Sequence, residues 1–129
     1  MRQFVYISTA ADLGDSDIAA ILAASQRNNA LREITGFLLY NGRNFLQLIE
    51  GPGASLLALM RDLYADRWHS GIVRLEDIPI AERSCADWIM RRIHLADEIA
   101  VRQDKLNSEL PVKLTAQTRR TVLNFAVLN

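Results

Sequence analysis

Apolar and polar positions along the chain predict alternating strands and helices. Residues 3–9 (QFVYIST) alternate between the two classes and are rich in aromatic and β-branched types, which predicts a first strand. ITGFLLY and NFLQLIE predict two further strands, and Asn41-Gly42 between them is a strong hairpin signal. GIVRLEDIPI and DWIMRRIHL predict the last two strands, and we expect the second of these to flank the first strand of the sheet.

Two amphipathic helices are predicted between these strands. We expect Asp15 or Ser16 to cap the first helix, which runs to about Asn29, and the second helix to span about Ala54 to Tyr64. Their apolar stripes are Ile18, Ile21, Leu22 and Ser25 in the first helix, and Leu56, Leu59, Met60 and Leu63 in the second. The order β-α-β-β-α-β-β predicts an α+β fold, a ferredoxin-like sheet with two helices on one face.

Beyond about Ala96 the character of the chain changes. DEIAVRQDKLNSEL predicts a charged, weakly amphipathic helix, and we expect Pro111 to begin another. The stripe of that last helix comprises Leu114, Thr118, Thr121, Val122, Phe125 and Leu128. We therefore expect residues 1–95 to form the ligand-binding domain and residues 96–129 a C-terminal helical extension. This extension either folds back on the sheet or pairs with another copy of the chain in a homo-oligomer.

Polar side chains at buried positions supply the candidate chemistry. NFLQLIE is largely apolar on both faces, so Gln47 needs hydrogen-bond partners, because an unmet buried amide is costly. Tyr6 lies on the first strand, which this topology places beside the third, and Asn29 continues the buried stripe of the first helix. Taken singly, a buried Tyr or Asn is more often an ordinary core residue. Together, and beside Ile21 and Leu63, the three describe an apolar slot suited to a flat heteroaromatic ring.

Composition narrows the function classes. The fifteen basic and fifteen acidic residues cancel, which gives no electrostatic reason to expect nucleic acid or an anionic membrane as partner. One cysteine excludes an internal disulfide or a CxxC pair, and the two histidines offer too few ligands for a metal site. We expect a cytoplasmic protein, because no signal peptide precedes the first strand and no apolar run is long enough to span a bilayer.

An ordered set of motifs in the chain resembles that of BLUF domains, which are flavin-binding sensors of blue light. The set runs from the first strand to about Arg92 and comprises YIST, NN....ITGFLLY, FLQ.IEG, D..H and ER....W.M. The resemblance implies a non-covalently bound FAD or FMN, and signalling rather than enzymatic turnover. It also implies output through a downstream effector protein, since no effector domain follows residue 129.

The resemblance assigns roles to the candidate residues. Tyr6 and Gln47 would be the photoactive pair: Tyr6 gives excited flavin an electron and then a proton, and Gln47 rearranges its hydrogen bonds to the ring. Trp88 and Met90, which alternation places on one face of the last predicted strand, would be switch residues that exchange places near Gln47 in some members of the family. The cofactor-binding set would be Tyr6, Ile21, Asn28, Asn29, Gln47, Leu63, Asp66 and Met90. Departures from the family pattern occur at Cys85, Trp68 and Asp62, the last where an arginine often stands.

Other functions on this topology remain as alternatives. An acylphosphatase needs a cationic phosphate cradle after the first strand, where TAADLGDSD is acidic. An RNA-recognition domain needs exposed aromatic and basic residues on the third strand, where NFLQLIEG has one aromatic and no basic residue. The nearer alternatives are a BLUF-like protein-interaction module that has lost light sensing and, behind it, a small flavin oxidoreductase.

Overall fold

The computed structural model, which describes residues 1–10, 13–65 and 70–127, has alternating strands and helices followed by a helical tail. The strands are β1 (Arg2–Thr9), β2 (Thr35–Tyr40), β3 (Asn44–Gly51), β4 (Ser70–Pro79) and β5 (Arg91–Arg92). The helices are α1 (Asp15–Leu31), α2 (Gly53–Ala65), α3 (Ile99–Glu109) and α4 (Ala116–Ala126). The predicted order of elements is confirmed.

The strands form one mixed sheet in the order β4-β1-β3-β2-β5. β1 pairs antiparallel with both β3 and β4, and β2 and β3 form the predicted hairpin. The predicted α+β fold, ferredoxin-like with β1 beside β3, is confirmed. This pairing fixes which side chains of β1 and β3 face each other.

The last strand does not lie where the sequence placed it. β4 occupies the free edge of β1, so β5 pairs instead with β2, in parallel, at the opposite edge of the sheet. The predicted strand also shrinks to two residues, because the chain bends repeatedly over residues 81–90. A hydrogen bond of 2.7 Å from the Gly36 N–H to the Trp88 carbonyl holds this bent segment along β2.

Both faces of the sheet are buried, as the apolar faces of β3 predicted. The core on the helix side comprises Phe4, Tyr6, Ala10, Ile21, Ile34, Leu38, Phe45, Ile49, Leu56, Leu59, Met60, Leu63 and Met90. The core on the tail side comprises Val5, Phe37, Leu39, Leu46, Leu48, Cys85, Ile93, Leu106, Leu110, Leu114, Val122, Phe125 and Ala126. The tail therefore folds back on the sheet. None of the described helices is long and apolar enough to cross a membrane.

Two helix starts differ from their predictions, each because another group satisfies the first turn. Gly14, rather than Asp15 or Ser16, is the N-cap of α1, and the Asp17 carboxylate accepts a hydrogen bond of 3.0 Å from its N–H. Pro111 does not begin α4. Thr115 caps that helix by accepting a 3.1 Å hydrogen bond from the Thr118 N–H, which a proline side chain cannot do.

Candidate functional site

Tyr6 and Gln47 form a buried hydrogen-bonded pair at the centre of the sheet. They are directly opposite each other in the antiparallel register of β1 and β3. Tyr6 is 0% exposed and Gln47 2% exposed, and the Tyr6 hydroxyl donates a hydrogen bond to Gln47 Oε1. Gln47 thus has the partner that its position in an apolar strand required.

The alternation of β1 and β3 places this pair on the helix side of the sheet. Phe4 precedes Tyr6 on the same face of β1, and Phe45 and Ile49 flank Gln47 on the same face of β3. These three residues belong, with Tyr6, to the helix-side core. These surroundings are apolar, and in such a low-dielectric environment a hydrogen bond is stronger than in water. The hydrogen bond between Tyr6 and Gln47 is therefore shielded from water.

Asn29 lies in the last turns of α1 with an unsatisfied amide. The residue is 1% exposed, and neither Oδ1 nor Nδ2 has a hydrogen-bond partner among the described residues. Leaving such a group unmet costs about 1–3 kcal/mol. The predicted polar set is thus only partly joined within the described residues: Tyr6 and Gln47 bond each other, and Asn29 bonds neither.

The other residues predicted to bind the cofactor differ in their burial. Ile21 of α1 and Leu63 of α2 are buried and belong to the same helix-side core as Tyr6. Asn28 is exposed on α1. Asp66, predicted at the ribityl chain, lies outside the described residues, as does Trp68.

Met90 and Trp88 lie on opposite sides of the sheet, contrary to the prediction that they share a face. Met90 is buried in the helix-side core, whereas Trp88 packs against the tail-side core and makes an edge-on contact with Phe37 at 6.1 Å between ring centroids. The prediction assumed strand periodicity, but residues 87–90 are bent rather than extended. Met90 therefore lies on the same side of the sheet as the Tyr6–Gln47 pair, whereas Trp88 does not.

Gln26 is a contact that the sequence did not predict. Its Nε2 donates a 3.0 Å hydrogen bond to the Met90 carbonyl, which ties α1 to the bent segment. Gln26 lies beside the apolar stripe of α1, so the helical pattern alone marks it as an ordinary surface residue.

Two of the residues that depart from the family pattern, Asp62 and Cys85, have defined contacts in the structure. Asp62 on α2 forms an ion pair of 2.5 Å with Arg32 at the end of α1. Cys85 is buried in the tail-side core, where burial and, secondarily, the Glu50 carboxylate raise the pKa of its thiol above the usual range. Neither side chain enters the helix-side core.

A flavin ring fits the donors and walls of this site. Its pyrimidine edge carries carbonyl acceptors and an N–H donor, which complement the unpartnered acceptor and donor of the Asn29 amide. Its apolar ring faces match Ile21 and Leu63. Among the described residues, no group of three or more His, Cys, Asp or Glu side chains could hold a metal ion.

Comparison with known proteins gives a consistent result. The family model described as sensors of blue light using FAD (BLUF) matches residues 1–91. The photoactivated adenylate cyclase subunit beta of Euglena longa is 36% identical over 92 residues, covering 70% of this chain and 11% of that protein. The blue light- and temperature-regulated antirepressor BluF of Escherichia coli is 36% identical over 58 residues, covering 45% of this chain and 14% of that protein.

A solved structure of similar length shares the fold. The dark-state structure of BlrB, a BLUF protein, matches with a TM-score of 0.75 and 31% identity, covering 98% of this chain and 93% of that chain. By contrast, the chain spans only a small part of the two longer relatives, the cyclase subunit and the antirepressor.

Proposed function

Because this chain belongs to the BLUF family of blue-light sensors that use FAD, we propose that it is a photoreceptor in which Tyr6 and Gln47 are the photoactive pair. The observation that carries the proposal is the buried hydrogen bond from the Tyr6 hydroxyl to Gln47 Oε1. It links an oxidisable phenol to an amide that can both accept and donate.

We assign the flavin to the helix side of the sheet. Asn29 would hold the polar edge of the ring, Ile21 and Leu63 would cover its faces, and Met90 would lie near its N5 side. Asn28 and Asp66 would bind near the same polar edge and the ribityl chain. When bound, the flavin, as FAD or FMN, absorbs blue light and in its excited state accepts an electron.

The chain's own residues then carry the signal. Tyr6 is the electron donor, and loss of an electron makes its phenol strongly acidic, so its proton moves from Oη to Gln47 Oε1 along the existing hydrogen bond. The electron and proton afterwards return to Tyr6, and Gln47 is left with its amide rearranged. No bond of the protein is consumed, so the product of the cycle is a new hydrogen-bond pattern around Gln47.

A sensor fits this site better than a flavin oxidoreductase. Reduction of a substrate needs an open approach to the reacting edge of the ring, and Tyr6 and Gln47 are both almost fully buried there. The chain acts as a sensor rather than an enzyme in this proposal.

The output passes to a separate effector protein in a cytoplasmic setting. Among the relatives, one is named as a cyclase subunit and another as an antirepressor, so the matched segment accompanies different outputs. We assign flavin binding to residues 1–95 and output, or pairing of two copies, to residues 96–129. Packing of α3 and α4 on the sheet supports this division, because a shift of the sheet would reach them directly.

Replacement of Gln47 tests the proposal. Gln47→Ala in the flavin-loaded protein should retain the flavin and lose most or all of the light-induced red shift, because no amide remains to rearrange. Asn44→Ala is the matched control: it removes an amide from the same strand, one that bonds the Ser8 carbonyl instead. A normal red shift in Gln47→Ala would refute the role of Gln47.

A further inference from the structure

Glu50 is a buried carboxylate on β3, three residues beyond Gln47 and on the opposite face of the sheet. It is 0% exposed. Its Oε2 accepts hydrogen bonds of 3.1 Å from Gln3 Nε2 and from the Ser84 N–H. Its Oε1 accepts from the Thr35 hydroxyl at 3.3 Å and from the Cys85 N–H. A carboxylate is rarely buried unless it is bonded in this way.

These contacts join two of the sequence motifs. Glu50 belongs to FLQLIEG, and Ser84 and Cys85 belong to ERSCADWIM. Arg83 of the second motif strengthens the junction: its guanidinium donates to the Glu50 carbonyl at 3.0 Å and to the Glu33 carbonyl at 2.6 Å. The start of the bent segment is thus fixed to the end of the strand that carries Gln47.

The segment that begins at this junction ends at the switch residue. Cys85 lies in the tail-side core and Met90 in the helix-side core, so residues 85–90 pass around the β2 edge from one face of the sheet to the other. Glu50 bonds the start of this path to β3. The hydrogen bonds from Gly36 and Gln26, already described, hold its end at Trp88 and Met90.

Residues at the start of this segment and just before it contact the tail. Glu82 forms an ion pair of 3.3 Å with Lys113 in the turn between α3 and α4. Cys85 shares the tail-side core with Leu110 and Leu114, which flank that turn. A displacement of residues 83–90 would therefore be transmitted to the turn.

We infer that Glu50 is a positioning residue that holds the segment 83–90 against β3, and so sets the place of Met90 relative to Gln47 and couples both to the tail. This inference rests on the proposed photochemistry, but Glu50 takes no part in it. In the dark it fixes one arrangement of the segment. After illumination it keeps the start of the segment bonded to β3, so that residues 83–90 shift together.

Glu50→Gln tests the inference with almost no change in volume. Each carboxylate oxygen receives one backbone N–H, so the amide NH₂ of the variant must oppose either Ser84 or Cys85 whichever way it is turned. Glu76→Gln is the matched control, because Glu76 bonds Thr118 of α4 instead of the segment. Hydrogen exchange of the flavin-loaded proteins is measured in the dark and in blue light, together with the rate of dark recovery.

For Glu50→Gln we expect a retained red shift and dark exchange of Ser84 and Cys85 about tenfold faster than in the wild type, as for one lost buried hydrogen bond. We also expect dark recovery to change about two- to tenfold, and the light-induced exchange difference at residues 83–90 to shrink. Glu76→Gln should change none of these three quantities.

Faster exchange with unchanged recovery and an unchanged light-induced difference would make Glu50 merely structural and overturn the inference, as would unchanged exchange. If Glu50→Gln does not fold, Thr35→Val takes its place, since it removes one donor to Glu50 and one acceptor of Arg83, with smaller effects in the same direction. A wild-type protein with no red shift would instead refute the proposed function.

Discussion

Tyr6 on β1 and Gln47 on β3 are direct cross-strand partners, and the hydroxyl of one donates to the amide oxygen of the other. Their separation is set by the backbone ladder of the two central strands rather than by a flexible loop. The hydrogen bond along which the proposed proton transfer would run is thus present in the folded chain.

Tyr6→Phe should bind flavin nearly as well as the wild type and lose the red shift. The substitution removes one hydrogen bond, worth about 0.5–1.5 kcal/mol net, but phenylalanine has no phenol to supply an electron and a proton. Difference spectra under blue light measure the effect. Tyr40→Phe is the control, because the Tyr40 hydroxyl bonds the Ala10 and Gly42 carbonyls and not Gln47. A red shift in Tyr6→Phe equal to that of the control would show that Tyr6 is only structural.

Asn29→Ala should separate stability from flavin affinity. The amide has no partner among the described residues, so its removal should leave the flavin-free protein equally stable or up to about 2 kcal/mol more stable. Flavin affinity should fall about tenfold or more, because the polar edge of the ring loses its partner. Thermal unfolding without flavin and flavin titration give the two values. Loss of stability with unchanged affinity would place Asn29 outside the flavin site.

The stability of the protein should fall at alkaline pH through Cys85. Burial and the Glu50 carboxylate raise the pKa of its thiol, so the folded protein keeps a proton that the unfolded chain releases above about pH 8.5. The contribution is fully present below that pH and is lost as pH rises further, by at most about 1.4 kcal/mol per pH unit. Urea unfolding of the wild type and Cys85→Ala from pH 7 to 10 should give a stability difference that shrinks with pH. A constant difference would contradict the raised pKa.

Light should alter the packing of the tail. The bent segment contacts both the helix-side core and the turn between α3 and α4, so a small shift at Met90 has a direct route to α4. We expect hydrogen exchange in residues 86–128 to change on illumination. A differential affinity of about 1.4 kcal/mol between the two states would change the binding of a partner tenfold. Changes confined to the helix-side core would rule out this route.

The sequence predicted the parts of the fold that follow from local periodicity. The alternation of β1 and β3 placed Tyr6 and Gln47 on one face, and the Asn41-Gly42 turn joined β2 to β3, both as found. The spacing of Asn29 along α1 likewise predicted its burial.

The errors concern positions that depend on the whole sheet. Which edge receives β5 depends on β4 occupying the other, and no local pattern near residue 91 records that. The predicted faces of Trp88 and Met90 were wrong because a bent segment does not alternate; this one is held by a backbone hydrogen bond from β2 and by the Gln26 side chain of α1. Glu50 carried a usable signal, a charged residue ending an apolar strand, but its partners lie 34 and 35 positions further along the chain.

The absorption spectrum of the purified, flavin-loaded protein before and after blue light tests the central claim most directly. We expect a yellow protein whose flavin bands move slightly to longer wavelength on illumination, without bleaching, and return in the dark. This result follows if Gln47 rearranges around an intact flavin. A colourless protein that takes up no added flavin, or a flavin that is lastingly bleached by light, would contradict the account.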